Sequence, residues 1–152
     1  MISISQMNVL AGQPEKNLRQ MKRDMTIAKE QGSELIVFPE LALPGYMLGD
    51  EWENDTFVRE CEDMNTEIID ETRRLTLATI WGNVKTDSTK VNEDGRLRKY
   101  NAGFVAQNGI LVPGGVTEGL IIKTLMPNYR EFRDKRHFTS LRDLAFEEGK
   151  SL

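Results

Sequence analysis

Three side chains in this sequence have the placement for acid–base or nucleophilic chemistry. Glu40 follows an apolar run in FPELALPGY (residues 38–46), Lys123 closes the run GLIIK, and Glu131 lies in MPNYREFRDKRHF (126–138). A strand-terminal glutamate often simply points into water. Here Pro39 and Pro44 each fix one φ and restrict where the carboxylate can go. A constrained, buried carboxylate has a raised pKa and suits a general base. Lys123 alone reads as a solvated strand end; beside a carboxylate it could stabilise an oxyanion or activate a nucleophile. Glu131 is either a partner in a salt-bridged loop or a second carboxylate in the same pocket. The one cysteine, Cys61, keeps helical spacing with Phe57, Met64 and Ile68. It therefore reads as a small buried hydrophobe rather than an exposed thiol in an electropositive setting.

Elements that would position these groups follow from the pattern. Ile2 to Val9 reads as a strand that stops at the turn signal AGQP (11–14). Leu18, Met21, Met25 and Ala28 recur at three- and four-residue steps, predicting an amphipathic helix over 15–31 that Gly32 stops. The run 35–38 then reads as a strand covered on both faces, so strand, helix and strand form a right-handed parallel crossover. Glu40 would sit at the carboxyl end of the second parallel strand, the edge where open α/β sheets place ligands. Asp55 is the expected cap of a second helix running to Leu75. Beyond it, 75–84 reads as a strand and 85–97 as a polar, hairpin-like loop containing the NEDG turn signal (92–95). Further strands are expected over 100–107, over 109–112 after an Asn108-Gly109 turn, and over 119–123, with Pro113-Gly114-Gly115 separating the last two. A short helix over 140–148 closes the chain.

At 152 residues, the chain has the length of one domain, a size that buries roughly 68–70% of the unfolded surface. The balance of 20 basic against 24 acidic residues, net -4, gives no reason to expect nucleic acid or an anionic membrane as a partner. The cations Arg130, Arg133, Lys135 and Arg136 are offset by Glu131 and Asp134. No apolar run approaches the roughly 20 residues that cross a bilayer, and the start lacks a signal-peptide pattern; a cytoplasmic location is expected. One cysteine excludes an intrachain disulfide framework, and one histidine, His137, excludes the usual clustered zinc ligands, so no metal is expected.

FPELALPGY, Tyr100-Asn101-Ala102, and Lys123 followed by Pro127-Asn128-Tyr129-Arg130-Glu131-Phe132 together resemble the nitrilase (carbon–nitrogen hydrolase) superfamily. Within it they resemble the glutaminase domains of glutamine-dependent NAD synthetases. Gln6, Asn8, Gly12 and Asn17 fit the pattern such domains carry before their first helix. The resemblance spans about residues 2–138. It implies an α/β fold: residues 1–152 as the first half of an α-β-β-α sandwich, a mixed sheet with two main helices on one face. It also implies amide hydrolysis by a Glu-Lys-Cys triad. In that carry-over Glu40 is the general base, Lys123 the oxyanion-side cation, and Glu131 a second glutamate that holds the lysine. Tyr46 and Tyr129 would shape the pocket for glutamine or a similar amide. The ammonia released would amidate deamido-NAD in a separate domain. No cofactor is implied for the amidase part, ATP and Mg belonging only to an associated synthetase domain.

The family nucleophile follows the lysine segment, and no cysteine follows Lys123 here. The chain is therefore expected to be inactive alone and to lack the cysteine-bearing half. One sheet face would then lack its partner, favouring self-association or a complementing chain. Two other readings stay open: another amidase of the superfamily, or a nucleophile-less remnant that binds an amide without cleaving it. A non-functional fragment would instead be poorly soluble or molten. A Glu40–Lys123 separation beyond about 6 Å, outside direct charge coupling, would leave the half-site unformed.

Overall fold

Leu18, Met21, Met25 and Ala28 form the buried stripe of α1 (Pro14–Glu30) in the computed structural model, which describes residues 1–92, 94–113 and 119–151. Pro14 opens the helix, where its missing N–H costs nothing. Two short parallel strands flank α1, β1 (Ile2–Ile4) and β2 (Leu35–Val37). β1 ends well before Val9. Ser5 N–H makes a last bond to the Val37 carbonyl at 2.9 Å, and the chain then turns to Asn17. That fully buried amide accepts from Leu10 N–H (2.9 Å) and donates to the carbonyls of Leu10 (2.8 Å) and Leu43 (2.7 Å). Buried polar groups must be paired, so Asn17 ties the first loop to the FPELALPGY segment.

The expected second helix is broken. A 3-10 turn (Gly49–Glu53) leads into α2 (Asp55–Asp63), and α3 (Asn65–Leu75) starts after Met64. Asn54, not Asp55, supplies the cap: its side chain accepts from Phe57 N–H at 3.2 Å. The break places Asn65 inward, where its Oδ1 accepts from Trp81 Nε1 (2.8 Å) and Asn83 Nδ2 (2.9 Å). Asn83 Nδ2 also bonds the Cys61 carbonyl at 2.7 Å. At the break these bonds satisfy Trp81 Nε1 and Asn83 Nδ2, while Asn83 Oδ1 is buried without a partner among the described residues. Thr76, at φ 50°, closes α3.

The sheet is mixed: β1, β2 and β3 (Ala78–Val91) are parallel, and β4 (Leu97–Gln107) runs antiparallel to β3. β5 (Ile110–Leu111) and β6 (Leu120–Ile122) both pair antiparallel with the outer edge of β4. The expected loop 85–97 is mostly ladder, extending through Asp87↔Arg98 before an irregularity. Lys85 and Thr86 both bond Glu62 of α2, which keeps this polar stretch on the sheet. Asn108 (φ 55°) and Gly109 (φ 79°) form the expected tight turn. Glu93 of the NEDG signal, and Gly114 and Gly115 of the expected separator, lie outside the described residues. Two short helices follow, α4 (Asp134–His137) and α5 (Leu141–Glu147), the latter with a Ser140/Asp143 capping box.

Trp81 stacks on its ladder partner Phe104 (5.5 Å, 16°) within the core shared by Met21, Met25, Ile36 and Ile68. Trp81 and Asn83 therefore face the helices. By strand alternation Ile80 and Gly82 face the other way, with their ladder partners Val37, Val105 and Gly103, and next to them Ile4 and Ile121. On that face Ile4 is 74% exposed and Ile121 66%. The helices cover one side of the sheet and leave an apolar side open.

Candidate active site

β2 carries its ladder one step past its end: Phe38 N–H donates to the Ile80 carbonyl (2.8 Å) and Gly82 N–H to that of Pro39 (3.2 Å). The chain then folds over Gly82. Ala42 N–H returns to the Gly82 carbonyl at 2.9 Å, and Leu41, fully buried, takes φ 47°. Left-handed backbone in a γ-branched residue is uncommon and is held only where the surroundings dictate it. Here the anchors on either side of Glu40, at Pro39 and Ala42, dictate it. The Pro44 carbonyl accepts Gly12 N–H at 2.9 Å, and Gly45 (φ 84°) lets the turn close against Ala11.

Glu40 Oε1 accepts from Lys123 Nζ at 2.7 Å and from Asn101 Nδ2 at 2.6 Å. The base and cation proposed from the sequence thus meet across 83 residues of chain. Lys123 Nζ also reaches Asp134 Oδ2 at 2.9 Å and lies 5.4 Å above the Tyr46 ring. Tyr46 donates its hydroxyl to Asp134 Oδ1. Partial burial works against the ammonium, but the hydrogen bonds to Glu40 and Asp134 outweigh it and hold the Lys123 pKa above the usual lysine range. Burial, followed by the bond to Asp134 and its charge, pushes the Tyr46 pKa well up, so the phenol stays a donor.

Two expectations are corrected. The expected second carboxylate on the lysine, Glu131, is exposed and makes no ion pair with Lys123 among the described residues; Asp134, 4% exposed, takes that place from the start of α4. The chain turns at Tyr129 and Arg130 (φ 53°), and Asp134 N–H bonds the Pro127 carbonyl at 3.2 Å, which brings position 134 back to the lysine. The pairing of Lys123 with a buried carboxylate is legible in the sequence only as an acidic residue of the 126–138 segment, and that segment holds two, Glu131 and Asp134. The second correction concerns burial. Glu40 is 46% exposed, because its carboxylate borders the open sheet face rather than lying under it. Tyr129 is exposed and packs on Phe132 (5.4 Å), which in turn meets Tyr46 edge-on at 5.9 Å. Tyr46 therefore touches the charged groups directly, and Tyr129 stands one ring behind.

A 360 Å³ open cavity borders this set, lined by Phe38, Glu40, Ile80, Gly82, Ile121 and Lys123, together with Trp81 and residues 101–103. Its walls are apolar except at the Glu40–Asn101–Lys123 corner, an arrangement that suits a small ligand with one polar end. Cys61 contributes nothing there. It is fully buried in α2 against Trp52, Val58 and Val84, and burial pushes its thiol up to about 12. Among the described residues no three His, Cys, Asp or Glu side chains converge as a metal site, and no helix is long and apolar enough to cross a membrane.

The architecture is that of a known fold. Over 91% of its length the chain superposes on an amidase from Nesterenkonia sp. (TM-score 0.73, 17% identity, 47% of that chain). It superposes likewise on the glutamine-dependent NAD+ synthetase of Acinetobacter baumannii (TM-score 0.69, 24% identity, 23% of that chain). The carbon-nitrogen hydrolase family model matches residues 1–118, and the chain belongs to that family. The match includes Glu40, Tyr46 and Asn101; Lys123 and Asp134 lie past its end. The glutamine-dependent NAD(+) synthetase of Thermotoga maritima is 31% identical over 137 residues, 90% of this chain but only 21% of that protein. The chain spans about a fifth of the length of this curated relative.

Proposed function

We propose that this chain supplies the base-and-lysine half of a glutamine amidohydrolase site, the part that releases ammonia for NAD synthesis in a larger assembly. The carrying observation is the preformed contact of Glu40 with Lys123 at the polar corner of an otherwise apolar cavity. Likeness to the Thermotoga maritima synthetase favours glutamine over other amides. Cys61 is sealed in the core, so the nucleophilic thiol comes from polypeptide outside these residues, which packs on the open face of the sheet. In the reaction Glu40 takes the thiol proton as sulfur adds to the amide carbonyl, and Lys123 steadies the resulting oxyanion. Glu40 returns the proton to the leaving nitrogen and ammonia departs. Water, deprotonated by Glu40, then adds to the thioester; the C–S bond breaks, the thiolate takes the proton back from Glu40, and glutamate is released. Asp134 and Tyr46 hold Lys123, and no cofactor takes part in these steps.

A chimaera tests this reading: residues 1–138 replace the corresponding segment of the Thermotoga maritima synthetase. Glutamine-dependent NAD formation, abolished by Glu40→Gln and Lys123→Met, is the expected result. NAD formation from added ammonia with none from glutamine would refute it, since the chimaera would then be folded and its grafted half-site inert. A second reading rests on the buried state of Cys61: the chain binds an amide without cleaving it. Calorimetry on the chain alone would then detect glutamine with no ammonia released.

A further inference from the structure

We propose that Asn101 is a positioning residue that fixes both members of the charged pair and leaves one oxygen of Glu40 free to accept a proton. The residue is 3% exposed on β4. Its carbonyl accepts Lys123 N–H at 2.9 Å, anchoring the lysine backbone just past β6. Its side-chain Nδ2 donates to Glu40 Oε1 at 2.6 Å. A carboxylate oxygen only accepts, so this contact requires the amide nitrogen and sets the orientation of the group. One residue therefore holds the lysine through its main chain and the glutamate through its side chain, although these lie 83 residues apart.

The two oxygens of Glu40 are thereby made unequal. Oε1 accepts from both Asn101 and Lys123, and Oε2 accepts from no described residue. Without Asn101, a carboxylate that is 46% exposed could rotate and offer Lys123 either oxygen. With it, two donors converge on Oε1, and Oε2 of this cavity-lining carboxylate has no donor among the described residues. This assignment rests on reading Glu40 as the proton-moving group, but the geometry beneath it can be measured without turnover.

Competitive acylation of the purified chain with trace acetic anhydride, quantified at each lysine by mass spectrometry, reads how tightly Lys123 is engaged. Asn101→Ala is expected to raise Lys123 acylation by about threefold relative to exposed Lys16, the scale of loosening a partly exposed ion pair. In a Glu40→Ala background, where the shared acceptor is gone, Asn101→Ala is expected to add no further increase. An equal rise in both backgrounds, or none in either, would overturn the proposal; a structural role for Asn101 would act regardless of Glu40. If Asn101→Ala does not fold, Asn101→Leu fills the position and carries the same expectation. A third measurement needs no change at Asn101: one of its side-chain amide protons should be slow to exchange by NMR and lose that protection in Glu40→Ala, which removes the acceptor. Retained protection there would refute the contact. A chimaera inert with glutamine would leave these results standing, because acylation and exchange report geometry alone, so the two proposals fail separately.

Discussion

Gly82→Ala tests the account of how Glu40 is held. A Cβ at position 82 would fall on the Leu41 amide nitrogen, within 2.7 Å of Glu40 Cα and 2.9 Å of its carbonyl carbon. All three are backbone atoms, so no rotamer change relieves the overlap. The 39–42 segment would have to lift from β3, weakening the bonds Gly82 N–H to Pro39 O (3.2 Å) and Ala42 N–H to Gly82 O (2.9 Å). Overpacking costs about 1–3 kcal/mol and each of the two hydrogen bonds about 1 kcal/mol, giving a loss of about 3–5 kcal/mol. At about 2–4 °C per kcal/mol for a chain of this size, the melting temperature should fall by about 10 °C. Gly103 is the internal control. It faces Gly82 across the ladder, yet the nearest atom to its Cβ would be the Ile121 carbonyl oxygen at 4.0 Å. Gly103→Ala should therefore change stability by less than about 0.5 kcal/mol. Urea melts of the two variants beside the parent decide the matter, and the same Gly82→Ala protein should show faster Lys123 acylation. Equal stability of the two variants would refute the claim that close backbone approach at Gly82 seats the glutamate.

Two other expectations concern neighbouring ionisable groups. Asp134→Asn removes the negative charge that, after burial and beside the hydrogen bond, holds the Tyr46 phenol high, and leaves a weaker, neutral acceptor. The ultraviolet titration of that phenol, isolated by difference from the Tyr46→Phe counterpart of each protein, should move to lower pH, and an unmoved midpoint would place Asp134 off the phenol. Cys61 titrates in the unfolded chain near 9 and in the folded protein only at about 12, because burial favours the neutral thiol. Below 9 both states keep the proton and its contribution is complete. As pH rises from 9 toward 12 the unfolded state alone loses it, so stability falls by about 1.4 kcal/mol per unit. The stability advantage of the parent over Cys61→Ala should shrink across that window, and a constant difference would argue that the thiol is not buried.

Local patterns made some of this protein readable from its sequence alone. The Leu18–Ala28 stripe, the strand expected over 35–38 and found over 35–37, the Asn108-Gly109 turn and the position of Glu40 past a strand end all depend on residues within a few positions of one another. Such signals are written in side-chain spacing and backbone preference, and the chain obeys them. Glu40 and Lys123 could be named because each ends an apolar run at the edge where ligands gather. What tertiary structure decided lies in pairings between distant segments. Asn65 interrupts the second helix because Trp81 and Asn83 need its oxygen, and the 85–91 stretch becomes strand because Glu62 bonds Lys85 and Thr86. Asp134 rather than Glu131 reaches Lys123 because the turn at Tyr129 and Arg130 aims one acidic side chain inward and leaves the other in water. Asn101 joins base and lysine because β4 runs between them. Hydrogen-bond partners in a folded chain are set by the direction and depth of each side chain, and a linear spacing contains neither.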